Sequence, residues 1–174
     1  MDFYVDWVIA HPLLSAVIQF AILGTLGDLI ARWIIQKKVT LPYKPPVLLF
    51  KMAEWAVLAI FIKYAFTGFT GFVSALSEHN LLPELTGFWK AFSISVAMNL
   101  QFGPFLVIMH RLLDNLVERE NNWKNLDKGF YSLLWFWIPA HTVTFMLPPD
   151  LRIGLAALWS VMLGVILGFY NRKR

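Results

Sequence analysis

The sequence has 174 residues and contains no cysteine, and only 15% of its residues are charged. The absence of cysteine excludes a disulfide framework, a cysteine metal site and a thiol nucleophile. Soluble domains carry about 25% charged residues, and this chain has too few to coat a globule. It is instead rich in apolar groups, with 58% hydrophobic residues, 15 Phe and 8 Trp. We therefore predict an integral membrane protein surrounded by a lipid bilayer.

The charges that are present are scattered. The 15 Lys and Arg residues form short separate clusters and no continuous basic face, so we expect no nucleic-acid partner despite the net charge of +4. The first residues, MDFYVDWVIAHP, are acidic and aromatic where a cleaved signal peptide would be basic. We expect any targeting signal to be internal.

Apolar runs between Pro, Gly and charge clusters predict the fold class, because about 20 mostly apolar residues cross a bilayer as a helix. We predict one domain, an all-α compact bundle of about five transmembrane helices. Gly103 and Pro104 should kink the third span, and Pro139 interrupts the fourth. A four-span alternative, in which the fourth segment is re-entrant, remains open. The five predicted spans cover residues 12–35, 46–76, 87–113, 129–147 and 151–170.

Orientation follows from the distribution of Lys and Arg in the short loops, since these residues stay on the inner side. Basic residues lie in the first loop, in the third loop and at the carboxyl terminus, whereas the amino terminus and the second loop are acidic. With five spans the basic regions share one side. The prediction is an outside amino terminus and an inside carboxyl terminus.

Ionisable groups inside the spans are costly and indicate where function resides. Asp28 and Arg32 stand four residues apart on one helix face and can neutralise one another, and Lys51 and Glu54 form a second same-face pair. Lys63 has no acid nearby in its helix. One interpretation is that these are structural ion pairs. The other is a narrow hydrated path, for which the candidate lining residues are Asp28, Arg32, Glu54, Lys63, Asn99 and Gln101, with Arg152 as an entrance or structural residue.

Proline and glycine add candidate hinges to that path. Gly103 and Pro104 break the third span beside the amides of Asn99 and Gln101. Pro139 is the candidate hinge of the fourth span. Small residues give two close-packing surfaces, which serve either the bundle or a homo-oligomer. These are Gly24 and Gly27 in the first span, and Ala156, Ser160, Gly164 and Gly168 in the fifth.

The sequence contains no recognisable set of catalytic residues. His110 and His141 lack an acid or a second His at metal-ligand spacing, so we predict no metal site. No nucleophile elbow or His-Glu-x-x-His pair is present. We predict a non-enzyme without a cofactor.

Several residues together resemble the family of Mpv-seventeen and the twenty-two-kilodalton peroxisomal membrane protein. His11-Pro12 and the Gly24–Asp28 segment are similar to the family's His-Pro and Gly-Asp elements. In the C-terminal third, His141 stands where Gln is usual and Thr144 replaces an Asn. The family motif residues there are Trp137, Pro139, His141, Phe145, Pro148, Arg152 and Trp159.

The resemblance implies a multi-pass protein that forms a channel or pore for small polar or ionic solutes. Members of that family reside in the mitochondrial inner or the peroxisomal membrane. The departures from the motif indicate a divergent member, for which the bacterial inner membrane is the alternative if the chain is prokaryotic. The rival function is a non-transporting membrane scaffold that binds lipids or partner helices.

Overall fold

A computed structural model describes the backbone of residues 2–171 and the side-chain surroundings of residues 3–166. All regular elements in this part of the chain are helices, which confirms the predicted all-α class. They are α1 (Asp2–Ala10), α2 (Pro12–Gln36), α3 (Pro45–Glu78), α4 (Gly87–Gln101), α5 (Gly103–Glu118), α6 (Leu126–Ser132), a π-helical segment (Leu133–Trp137), α7 (Ile138–Met146) and α8 (Pro149–Asn171).

Proline marks most helix starts. Pro12, Pro45 and Pro149 are the first residues of α2, α3 and α8, and Pro104 and Pro139 are the second residues of α5 and α7. The first turn of a helix has amide groups without internal partners, so a residue without an N–H costs nothing there, and its fixed φ suits the helix. The predicted spans therefore begin close to the positions that the prolines indicated.

The predicted kink in the third span is confirmed. α4 ends at Gln101 and α5 begins at Gly103, and the two helices are bent by 49°. Pro104 has no N–H to donate back to the carbonyl of Leu100, which breaks the hydrogen-bond ladder at this point. α5 also continues to Glu118, five residues beyond the predicted end of the span.

The fourth predicted segment is helical but not uniform. The π-helical segment ends two residues before Pro139 and widens the helix at Trp135, whose carbonyl would accept the N–H that Pro139 lacks. By length and composition, three helices of the described chain suffice to cross a membrane, namely α2, α3 and residues 149–166 of α8, and the bent α4–α5 pair makes a fourth. None of the shorter pieces between Leu126 and Met146 is long enough alone.

Contacts nevertheless define the path of that segment. Gly129 packs on Val107 and Leu133 on Gly103, so the chain runs back along α5 from its end towards its start. α8 then lies parallel to α2, because Gly154 contacts Gln19 near the start of α2 and Ser160 contacts Gly27 further along. The described part of the chain thus traverses the bundle five times, and the loops after α2 and α5 lie at one end, called here the basic end.

The small residues of α2 and α8 pack against each other. A side chain at Gly27 would approach the carbonyl oxygen of Ser160 to 2.7 Å, and Gly164 faces the backbone of Gly27. Gly24 leaves room for the Trp55 ring, and Ala156 is buried. The described part of both predicted surfaces therefore serves packing within the chain. The surroundings of Gly168 lie outside the described residues.

The interior of the bundle contains charged and polar side chains, whereas many large apolar side chains lie on its surface. Lys51, Glu54 and Asn99 are buried, whereas large apolar side chains such as Leu49 and Phe50 are mostly exposed. A soluble protein rarely exposes so many apolar groups together, because their contact with water is unfavourable. This distribution is compatible with a membrane-embedded protein.

Candidate functional site

Lys51 is the centre of a buried group of charges at the basic end. Its side chain is 1% exposed, and its Nζ lies 3.4 Å from Glu54 on α3, 3.1 Å from Glu118 on α5 and in contact with Asp114. Asp114 and Glu118 are four residues apart and hence on one face of α5. Three carboxylates around one ammonium offset the cost of burying it.

Arg32 extends this group to α2. Its guanidinium donates to the carboxylate of Glu118 and lies over the ring of Tyr43, with Cζ 4.6 Å from the ring centroid. Tyr43 belongs to the loop between α2 and α3, where burial raises the pKa of its phenol above the ordinary value, against an opposing effect of Arg32. We call Arg32, Lys51, Glu54, Asp114 and Glu118 the ion network.

The predicted pair of Asp28 and Arg32 is not formed. Asp28 accepts a hydrogen bond of 2.8 Å from Nε1 of Trp55, while Arg32 pairs with Glu118. Each group is satisfied by another helix rather than by its neighbour one turn away, because partners from α3 and α5 lie closer. The predicted pair of Lys51 and Glu54 is confirmed.

Sequence reasoning missed Asp114 and Glu118. We expected the third span to end at residue 113, which placed both acids in a solvated loop. A signal was available, since His110, Asp114 and Glu118 recur every four residues and therefore share a helix face. That spacing indicates that α5 continues and that its acidic face meets another helix.

His110 lies beside the ion network. Its Nε2 is 3.4 Å from Oε1 of Glu54, whose carboxylate has no solvent-exposed surface. Neither carboxylate oxygen of Glu54 accepts a hydrogen bond from another described residue. The Glu54 carboxylate is therefore shielded from solvent next to the ammonium of Lys51, whereas 34% of the His110 side chain beside it is exposed.

A cavity of about 310 Å³ occupies the centre of the bundle. Its walls come from α2, α3, α4, α5, α6, the π-helical segment, α7 and α8, and they are mainly apolar. Polar groups line it at two levels. Asp28, His110 and Arg111 lie towards the basic end, and Asn99 and His141 lie in the middle of the bundle.

Asn99 and His141 form a buried polar contact at the middle level. Asn99 Nδ2 lies 3.1 Å from Nδ1 of His141 and donates to the carbonyl of Ser95 at 2.8 Å. The Ser95 hydroxyl in turn donates to the carbonyl of Ile138 at 2.8 Å. This chain of contacts joins α4 to the start of α7 beside Pro139.

The remaining predicted lining residues are located elsewhere. Gln101 is exposed on the opposite side of α4 from Asn99, because side chains two positions apart in a helix are separated by about 200° around its axis. Lys63 is partly exposed on α3 and has no ion pair with another described residue. Arg152 donates to the carbonyl of Leu147 at 2.9 Å and does not line the cavity. Of the six predicted lining residues, only Asp28 and Asn99 border the cavity.

The residues of the predicted family motif lie in α7, just before it or in α8 and the residue that precedes α8. Trp137 and His141 line the cavity, and Phe145 packs on Phe66 with ring centroids 4.9 Å apart. Trp159 of α8 donates from Nε1 to the hydroxyl of Thr144 at 3.1 Å. Pro148 directly precedes α8. These residues hold α7 against α8 and α3.

The described residues offer no group of three or more His, Asp or Glu side chains arranged to hold a metal ion. No protein-family model, curated protein or solved structure matches this chain. The class that the fold defines is therefore a helical bundle with apolar helices of membrane-spanning length. The resemblance to the Mpv-seventeen family stays a prediction.

Proposed function

We propose that the chain is an integral membrane protein whose five traversals all cross the bilayer. The exposed apolar surface and the buried charges support this proposal. The basic loops after α2 and α5 share one end, which supports an inside position for that end and for the carboxyl terminus. Through the family resemblance, the membrane is the mitochondrial inner or peroxisomal membrane, or the bacterial inner membrane for a prokaryotic chain.

The function proposed for this bundle is a channel or pore for small polar or ionic solutes. The observation that carries it is the central cavity, which is bordered by Asp28 and His110 at one level and by Asn99 and His141 at another. Polar groups at membrane depth are costly unless they meet protein, water or solute. A solute path through the cavity gives these polar side chains a function. Close packing of the helices alone does not require polar side chains at these positions.

The ion network acts in this proposal as the closed gate. Glu118 and Asp114 on α5 bind Lys51 on α3, which holds the ends of the two helices together beside the cavity. The bend at Gly103 and Pro104 is the hinge about which α5 moves relative to α4. Opening then requires separation of Lys51 from the two acids.

Flux through the purified protein in phosphatidylcholine liposomes tests the proposal. We expect wild-type protein to pass small ions and polar solutes, and Asn99→Leu to reduce flux at least fivefold, because it removes the polar lining at the middle level. Gln101→Leu is the matched control, since it changes an exposed side chain on the same helix. Equal flux in both folded variants would remove Asn99 from the path.

A membrane scaffold is the second candidate, and one observation favours it. Lys51 and Arg32 pair with acids on other helices, as residues in structural ion pairs do. Correctly inserted wild-type protein that passes no solute at any voltage tested would support the scaffold and contradict the channel.

A further inference from the structure

The walls of the cavity combine a long apolar surface with a basic mouth. Leu58, Ile62 and Phe66 from α3 and Met98 from α4 supply apolar wall, whereas Arg111 from α5 borders the cavity at the basic end. Small-molecule pockets range from about 300 to 1,000 Å³, so this cavity of about 310 Å³ lies at the lower end of that range. It suits one alkyl chain better than a lipid with two.

Arg111 has binding capacity left at this mouth. Its two contacts with other described residues are long, 3.6 Å to the carboxylate of Asp114 and 3.5 Å to the carbonyl of Lys124. A guanidinium carries five N–H donors in a planar fork that matches a carboxylate or a phosphate. Asn125 and Lys128 line the cavity near the same level.

The one acid that lines the mouth is already engaged. Asp28 accepts the indole N–H of Trp55 at 2.8 Å, which keeps that carboxylate against α3. Arg111 borders the cavity at the same end, and its two long contacts leave N–H donors for a ligand. The Arg111 guanidinium therefore favours an anionic group at the mouth over a cationic one.

We propose that the cavity binds a single-chain amphiphile with an anionic headgroup, with the headgroup at Arg111 and the alkyl chain along the α3 wall. The α3 residues that line the cavity lie between Trp55 and Phe66, a stretch that rises roughly 16 Å along the helix axis and so matches about the length of a dodecyl group. The binding does not rest on the proposed solute passage. A bound chain would, however, occupy the same space as a passing solute.

Equilibrium binding of radiolabelled dodecanoate tests this inference on the full-length protein in phosphatidylcholine nanodiscs, with empty nanodiscs subtracted for partitioning. We expect one saturable site per chain. Dodecanol, which has the same alkyl chain without the charge, should bind at least tenfold more weakly. Dodecanol that binds as tightly as dodecanoate, or dodecanoate without a saturable component, would overturn the proposal.

Three variants locate the site. Arg111→Gln should weaken dodecanoate binding at least tenfold, and Ala31→Phe should abolish it, because Ala31 lines the cavity and a ring fills the space. Lys38→Gln removes an exposed charge from the loop after α2 and should leave affinity unchanged. Full affinity in a folded Ala31→Phe variant would place the ligand outside the cavity.

A comparison of two probes identifies the source of the anion. Dodecanoate carries the carboxylate of a free fatty acid, whereas a lysophosphatidylglycerol with a dodecanoyl chain carries a phosphodiester. Tighter binding of the first assigns the site to fatty acids, and tighter binding of the second assigns it to lysophospholipids. If unlabelled dodecanol displaces the radiolabelled dodecanoate as effectively as unlabelled dodecanoate does, the result would again contradict an anionic site.

Discussion

The Nζ atom of Lys51 lies 3.1 Å from Oε1 of Glu118, so that the first turns of α3 are tied to the last turn of α5. The same carboxylate oxygen binds Arg32 on α2. One carboxylate therefore joins three helices at the basic end of the bundle. Apart from the local Lys51–Glu54 pair, the cations and acids of the ion network come from separate parts of the chain, so most of its contacts form only in the folded state.

Replacement of Lys51 by Met should strongly destabilise the protein. The change leaves Glu54, Asp114 and Glu118 close together without the cation between them, and breaking a buried ion pair in this way costs about 3–5 kcal/mol. Unfolding of reconstituted protein in mixed micelles, monitored by circular dichroism, measures the loss. Lys38→Met, at an exposed position, is the control. Similar stabilities of the two variants would show that the network does not contribute to the fold.

Arg32 and Glu118 should be energetically coupled. Arg32→Gln removes one partner of Glu118, whereas Glu118→Gln weakens contacts with both Arg32 and Lys51 and should cost more. For residues in one ion network we expect a coupling free energy of about 0.5–3 kcal/mol in a double-mutant cycle. The cycle uses the free energy of unfolding of both single variants and the double variant. Additive effects would mean that the contact carries no interaction energy.

Alanine substitution should have opposite effects at two glycines. At Gly27 the added Cβ would lie 2.7 Å from the backbone oxygen of Ser160, so α2 and α8 must separate at a cost of about 1–3 kcal/mol. At Gly71 nothing lies within 4 Å, and Ala should stabilise helix α3 by about 0.5–1 kcal/mol. Thermal unfolding of both variants gives the signs. A stabilising Gly27→Ala would contradict the close crossing of α2 and α8.

Tyr43 should titrate late at alkaline pH. Burial raises the pKa of its phenol above the ordinary value of about 10, so the folded protein retains a proton that the unfolded chain has lost. The stabilisation is complete below about pH 10 and declines as pH rises towards the raised pKa. Absorbance at 295 nm follows the five tyrosines, and Tyr43→Phe should remove a late step.

Tyr131→Phe is the control for this titration, because it removes an exposed tyrosine of α6 and should leave the late step in place. Phe at position 43 also keeps an aromatic ring under Arg32, which limits the effect on folding. A titration curve that is the same in wild type and Tyr43→Phe would show that the phenol is solvated.

Local signals in the sequence predicted most of the helices. Pro12, Pro149 and the Gly103-Pro104 pair act on the backbone of their own turn, so their effects on helix starts and on the kink need no tertiary information. The same-face spacing of Lys51 and Glu54 is also local, and their contact followed. The π-helical segment before Pro139 was not predicted, because several local geometries accommodate a missing amide donor.

The sequence by itself determined that this protein is all helical, that its helices are apolar enough to cross a membrane and that charges lie within them, because hydrophobic length and residue spacing along a helix are properties of the chain. Only the tertiary structure decided that Arg32 pairs with Glu118 rather than Asp28, and that Asn99 rather than Gln101 borders the cavity. Ion pairs and cavities are formed between helices. Their partners depend on how the helices pack, which no spacing within one helix specifies.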